Sequence, residues 1–145
     1  MQMRRFIWLG AFLLIVGFAK AQDTPLSIVS HVKGAPQDLK LNALKSILKG
    51  ERQRWADGTK ITIALMKTNT PAGSAICRKI YNMSADELNK YWLALVFQGK
   101  GQAPVFFNST AELEAFIAQT PGAIGVTTAT GNNTHTITVD GKKVL

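Results

Sequence analysis

The sequence predicts a single α/β domain. Strand-like runs alternate along the chain with three or four helical segments, and this alternation is typical of a sheet flanked by helices. The 145 residues are enough for one ordinary domain and too few for two. With 46% apolar and 18% charged residues, the composition fits neither a disordered chain nor a coiled coil.

The beginning of the sequence has the three-part layout of a secretory signal peptide. Arg4-Arg5 precedes an apolar run from residue 6 to residue 19, and Ala19-Lys20-Ala21 is a small-x-small cleavage site. The alternative is a retained membrane anchor, but about 14 apolar residues fall short of the roughly 20 that span a bilayer. We therefore expect residues 1–21 to be removed. Residues 22–145 then form one periplasmic or secreted domain that does not insert into a membrane.

Removal of this segment changes the net charge. Three of the 17 Lys and Arg residues lie within it, so residues 22–145 keep 14 basic against nine acidic residues and carry +5 instead of +8. The densest basic stretch, residues 45–54, has four basic residues in ten, which is ordinary for a solvated surface. We expect no nucleic-acid partner, whereas a mild positive field favours a small anion.

The first half of the domain is predicted to contain two strands around a short helix. Residues 26–32 are apolar and rich in β-formers. Residues 41–50 form a helix that Gly50 ends, with an apolar face made of Leu41, Leu44, Ile47 and Leu48. Asp57-Gly58 is a turn ahead of a strand at residues 60–66, in which Ile61, Ile63 and Leu65 alternate to one side.

Capping signals define the remaining helices. Thr70 at the N-cap and Pro71 at the first helical position start a helix that runs to about Tyr81. Residues 84–87 and 109–112 each have the capping-box pattern, in which a Ser hydroxyl and a Glu carboxylate satisfy orphan backbone N–H groups. The apolar stripe after the first box predicts a long helix and consists of Leu88, Tyr91, Trp92, Leu95 and Val96.

Two strands are predicted near the C-terminus. The turn Pro121-Gly122 precedes a strand of small residues at 123–128, and a second turn at 130–133 precedes an alternating strand at 134–139.

Residue types that carry catalysis or bind metals are sparse. His31 and His135 form no zinc-binding motif, and Cys77 lies inside a predicted helix, where a small buried hydrophobe is expected. The acidic residues at 86–87 and 112–114 lie in first helical turns, where they favour the helix dipole. The sequence contains no phosphate-loop, dinucleotide or nucleophile-elbow motif. We therefore expect no enzyme, no cofactor and no metal site.

One strand-to-helix junction collects polar groups. A helix N-terminus presents unpaired N–H groups and partial positive charge, and both favour an anion. The candidate anion-binding residues at this junction are Lys67, Thr68, Asn69, Thr70, Gly73 and Ser74. The alternative is a polar loop that Thr70 caps, and the residues alone favour the capped loop.

Three stretches, taken in order, carry a family resemblance. LKSILKG is followed by RWADGTKIT, and YWLALVFQGKGQAPVFFNSTAELEAFIAQTPGAIGV contains the pair FQGKG and PGAIG. These blocks resemble the PstS-like, phosphate-binding periplasmic proteins over Leu26 to Thr128. The resemblance is to the short, single-domain, exported members, labelled as phosphate ABC transporter substrate-binding proteins.

This resemblance implies a single-lobe type 2 periplasmic-binding-protein-like domain, with a mixed sheet flanked by helices. Two-lobed members close on phosphate, and one lobe contributes an Arg-x-x-x-Ser-Gly-Thr motif at a strand-to-helix junction. Here Lys67 takes the arginine position and Pro71-Ala72-Gly73 takes the Ser-Gly-Thr positions, so only the location carries over. Residues 22–145 equal about one lobe. A one-lobe site is open to water, where tight oxyanion capture is not expected.

Two functions follow from the resemblance. The first is an exported, non-enzymatic solute-binding module, linked to transport, that binds phosphate or another small oxyanion weakly. The second is a periplasmic protein-interaction module that has lost ligand binding and contacts an envelope or ABC-transporter component. The second is suggested by the aromatic residues Trp55, Trp92, Phe106 and Phe107.

Overall fold

The computed structural model describes residues 24–128 and 134–145. The predicted signal segment 1–21 and the predicted turn at 130–133 lie outside these ranges. In the described part of the chain, no helix has the length and apolar character required to cross a membrane.

The described ranges contain six strands and four α-helices. The second helix runs directly into a π-helical turn at Cys77–Tyr81. The elements are β1 (Ser27–Ser30), β2 (Asp38–Leu39), α1 (Leu41–Leu48), β3 (Thr62–Met66), α2 (Pro71–Ile76), α3 (Ala85–Phe97), β4 (Val105–Phe107), α4 (Thr110–Gln119), β5 (Ala123–Thr127) and β6 (His135–Val139).

The strands form one mixed sheet in the order β2-β6-β1-β5-β3-β4. β5, β3 and β4 run parallel, as do β2 and β6, whereas β1 is antiparallel to β5 and β6. This arrangement confirms the predicted α/β class with a mixed sheet flanked by helices. It also places the carboxyl ends of β3, β4 and β5 along one edge of the sheet.

The central strands are buried on both faces. Ile63 and Leu65 share one face of β3, as predicted, and Ala64 and Met66 on the opposite face are buried as well. Parallel strands are covered by helices on both sides, which explains the continuous burial. Helix α4 approaches β5 so closely that a Cβ on Gly125 would lie 2.6 Å from Ile117 Cδ1 and 3.1 Å from Leu113 Cδ2.

The predicted helix starts are confirmed at Thr70 and Ser84. Thr70 caps α2 with Pro71 in the first turn, and Ser84 and Glu87 form both bonds of a capping box at α3. At α4, one of the two hydrogen bonds of the predicted capping box is present: Ser109 Oγ accepts from the Glu112 N–H at 3.2 Å. The helix that begins at Pro71 continues to Tyr81 as predicted, although its last five residues are π-helical.

Two tyrosines donate hydrogen bonds to the C-terminal end of α1, where backbone carbonyls have no partner within the helix. Tyr81 Oη donates to the Leu48 carbonyl oxygen and Tyr91 Oη donates to the Lys49 carbonyl oxygen, each at 2.5 Å. Tyr81 is buried and Tyr91 is half-buried. Burial raises the pKa of both phenols, so both remain donors at neutral pH.

We expect Tyr81→Phe to lower the free energy of unfolding by about 1–2 kcal/mol, because it leaves a buried carbonyl without its donor. Tyr91→Phe is the matched control, and its half-buried site predicts a smaller loss of about 0.5–1 kcal/mol. Urea denaturation of the two variants measures the difference. Equal losses would contradict burial as the cause.

Candidate functional site

The candidate anion-binding residues begin where β3 ends. Lys67 follows the last residue of β3, and Thr68 and Asn69 continue the connection to the Thr70 cap of α2. Because β4 and β5 are parallel to β3, the loops that follow them reach the same edge of the sheet. In open α/β sheets, ligands bind outside the carboxyl ends of the strands.

Thr70 is engaged within its own loop. Its hydroxyl donates to the Lys67 carbonyl oxygen at 2.7 Å and accepts from the Gly73 N–H at 3.0 Å. The Thr70 N–H also donates to the Lys67 carbonyl oxygen, at 2.9 Å. The cap therefore uses the Thr70 hydroxyl and the Gly73 N–H, both of which were candidate donors to an anion.

Gly73 and Ser74 have structural contacts of their own. A Cβ on Gly73 would lie 2.0 Å from the Lys67 carbonyl oxygen, so glycine permits α2 to pack over the end of β3. The exposed Ser74 accepts at Oγ from Arg78 Nη1 at 3.3 Å, one turn further along the helix. Neither residue lines the cleft that the loop forms.

Three of the six candidates share one cleft. Its volume is about 380 Å³ and it is lined by Lys67, Thr68, Asn69, Asn89 and Phe106. Asn89 comes from α3 and Phe106 from β4, and sequence analysis did not assign either residue to this site. Loops at the carboxyl ends of parallel strands meet, and this rule would have placed Phe106 near the site if β4 had been predicted. β4 has only three residues, and the sequence pattern did not reveal it.

The chemistry that this cleft offers is hydrogen-bond donation. It contains one ammonium, one hydroxyl, two carboxamides and one phenyl ring. An ammonium with neutral donors suits a small oxyanion, and the ring gives one apolar side.

The residues suited to nucleophilic or metal chemistry lie elsewhere. Cys77 is buried in the π-helical turn, and burial raises the pKa of its thiol, which opposes thiolate formation. His31 Nδ1 accepts from the Lys33 N–H at 2.9 Å. Within residues 24–128 and 134–145, no group of three or more His, Cys, Asp or Glu side chains is placed to hold a metal ion.

Comparisons with known proteins identify the fold. No family model and no curated protein matches this chain. Among solved structures, PstS from Borrelia burgdorferi matches 81% of this chain with a TM-score of 0.58 and 17% identity. A protein from Clostridium perfringens, described as a phosphate ABC transporter substrate-binding protein with bound phosphate, matches 81% with a TM-score of 0.58 and 14% identity. An ABC-type phosphate transport receptor from Vibrio cholerae matches 83% with a TM-score of 0.51 and 14% identity.

The chain therefore has a PstS-like fold. The matched regions cover 47%, 45% and 51% of the three solved chains, so this chain spans about half the length of each. The neighbours are solute-binding proteins rather than enzymes.

We expect Thr70→Ala to lower the free energy of unfolding by about 1 kcal/mol, because the change removes the cap of α2. Thr68→Ala is the matched control. It deletes the same atoms from a neighbouring residue outside the cap, so we expect a change within about 0.5 kcal/mol. Urea denaturation measures both variants, and an equal loss from the two would contradict the capping role of Thr70.

Proposed function

We propose that this protein is a non-enzymatic solute-binding module whose cleft at the carboxyl ends of β3 and β4 binds phosphate or a related small oxyanion weakly. The observation that carries the proposal is the single cleft that the Lys67–Asn69 loop lines together with Asn89 and Phe106, in a PstS-like fold. Electrostatic attraction from Lys67 and hydrogen bonds from the neutral donors would hold the anion without chemical change.

The composition of the cleft supports weak rather than tight binding. Lys67 is exposed and is the cation among the lining residues, and water competes for every donor at an open site. The Thr70 hydroxyl and the Gly73 N–H already serve the helix cap. The anion is thus held from one side, by fewer donors than a desolvated oxyanion requires.

We expect phosphate to bind with a dissociation constant of about 1 mM or weaker, equivalent to roughly 4 kcal/mol or less. Titration of the ¹⁵N-labelled protein with phosphate and with sulfate should shift the amide signals of Lys67, Thr68, Asn69 and Asn89. Lys67→Gln should weaken binding about tenfold, because it removes the charge-assisted contact.

Lys60→Gln is the matched control for this titration, because Lys60 lies beyond the amino end of the same strand and carries the same charge. It should leave the dissociation constant within about twofold of that of the unaltered protein. No shift at 20 mM phosphate, or an equal loss from the two substitutions, would overturn the anion site.

The proposal includes export to the periplasm and cooperation with a transport or envelope component. It rests on the signal-peptide layout of residues 1–21 and on the periplasmic resemblance. Such a module delivers its solute by docking to a membrane-bound partner.

We expect the protein expressed in a Gram-negative host to appear in the periplasmic fraction with Gln22 as its first residue. Leu14→Arg should retain the protein in the cytoplasm, because a charge interrupts the apolar run. Gln2→Arg is the control: it adds the same charge where basic residues are normal, so export should continue. Cell fractionation with intact-mass measurement checks both variants. A membrane-bound protein that keeps Met1 would contradict cleavage.

A further inference from the structure

An apolar groove lies between α3 and β4, next to the polar cleft. Its volume is about 510 Å³, it shares Asn89 and Phe106 with the cleft, and its apolar lining is Trp92, Leu93, Val96, Phe97, Ala103 and Phe106. Leu93, Val96 and Phe97 are 56%, 47% and 84% exposed. Val96 belongs to the apolar stripe that predicted α3, and it lines the groove. Three adjacent exposed apolar residues on one helix face form a contiguous apolar surface patch, which is typical of an interaction site.

The backbone of β4 has an outward-facing edge. β4 is the last strand in the sheet order, and the Lys67 N–H donates to the Phe107 carbonyl oxygen at 2.9 Å, so the Phe107 backbone faces β3. Backbone groups of successive strand residues point to opposite edges. The N–H and C=O of Phe106 therefore point away from β3, and no strand in the described ranges pairs with them. Such an edge is a template for an added strand.

Apolar side chains lie on both faces of this edge. The rings of Phe107 and Phe116 are 5.2 Å apart, so Phe107 faces α4, and alternation places Val105 on that side and Phe106 on the groove side. Val105 is 39% exposed. A strand added to β4 would cover Val105 with one set of side chains and fill the groove with the other. A compact amphiphile would fill the groove and leave Val105 and the Phe106 backbone uncovered.

Exposed lysines lie near both ends of the groove. Lys67 lines the polar cleft at one end, and Lys100 lies in the loop that joins α3 to β4 at the other. Lys90 lies on α3, with Asp86 one turn before it. Antiparallel pairing of two copies through β4 would bring Lys67 of one copy towards Lys100 of the other, whereas acidic groups on a partner would neutralise both lysines. The charge distribution therefore favours an acidic partner over a second copy.

We propose that β4 and the α3 groove form a docking site for an extended peptide segment of another protein, apolar on both faces and acidic at its ends. The segment adds a strand to the sheet through the backbone of Phe106 and inserts apolar side chains between Leu93, Phe97 and Phe106. Main-chain hydrogen bonds supply affinity and the groove supplies selectivity. This site adjoins the proposed anion site, with which it shares Asn89, Phe106 and the charge of Lys67.

The probe is the labelled peptide acetyl-Glu-Thr-Val-Leu-Val-Thr-Glu-amide, titrated into the purified protein by fluorescence anisotropy. We expect saturable binding and at least about tenfold slower hydrogen exchange of the Phe106 amide in the complex. Two further peptides carry N-methyl groups at alternate residues, one set on each edge of the strand. One of them should lose binding and the other should keep it, because an added strand pairs through a single edge.

Two protein variants test the groove. The double substitution Leu93→Ser with Phe97→Ser should weaken peptide binding at least about tenfold, and both side chains are exposed, so the fold should persist. Val32→Ser is the control, because Val32 is 80% exposed and lies outside the groove. Replacing both glutamates of the peptide by lysine should weaken binding about tenfold at low salt and less at high salt.

Three outcomes would overturn the proposal. Equal binding of the two N-methylated peptides, or no binding of the parent peptide, would show that no strand is added. Protection of the Phe106 amide without peptide, together with a dimeric mass in sedimentation, would assign the groove to a second copy. Displacement of the peptide by dodecyl phosphate, with the Phe106 amide exchanging freely throughout, would assign it to an amphiphile.

Discussion

The burial of β3 on both faces is the constraint on which the rest of the structure depends. Its residues Ile63 to Met66 are buried, so β5 and β4 must satisfy its two edges while helices cover its two faces. The polar backbone of the connections between strands and helices cannot lie within that apolar interior. It lies at the strand ends, and at the carboxyl ends the sheet places the loop of Lys67, Thr68 and Asn69 next to Asn89 and Phe106. The candidate site therefore arises from the topology of the sheet.

How much the sequence predicts depends on the range of the interactions involved. The caps at Thr70 and Ser84 could be predicted because each hydrogen bond joins residues three positions apart. β4 could not, because three residues carry no clear period and become a strand only by pairing with β3. The same limit applies to the candidate site. Its loop was visible as a strand-to-helix junction, whereas Asn89 and Phe106 reach the cleft only through tertiary packing.

Thr70 shows how a helix cap occupies atoms that the sequence had offered as donors to a ligand. Its hydroxyl donates to one backbone carbonyl and accepts from one backbone N–H, so its proton is already committed. Gly73 is required by the close approach of α2 to the end of β3. Thr70 and Gly73 therefore build the capped loop, whereas the residues before them line the cleft that we propose as the anion site.

Both ends of the described chain meet at the same sheet edge as the polar cleft. Leu26 and Leu145 exchange backbone hydrogen bonds of 3.1 and 2.8 Å, and Lys79 Nζ donates to the Thr24 and Leu145 carbonyl oxygens at 2.8 and 3.2 Å. Since β1 is antiparallel to β5, Ser27 lies opposite Thr127, at the carboxyl end of β5. A unit whose ends meet can join another lobe without rearranging its core. In a protein about twice this length, a second lobe joined through these ends would therefore begin at the end of the sheet where the cleft opens, next to the anion site that we propose.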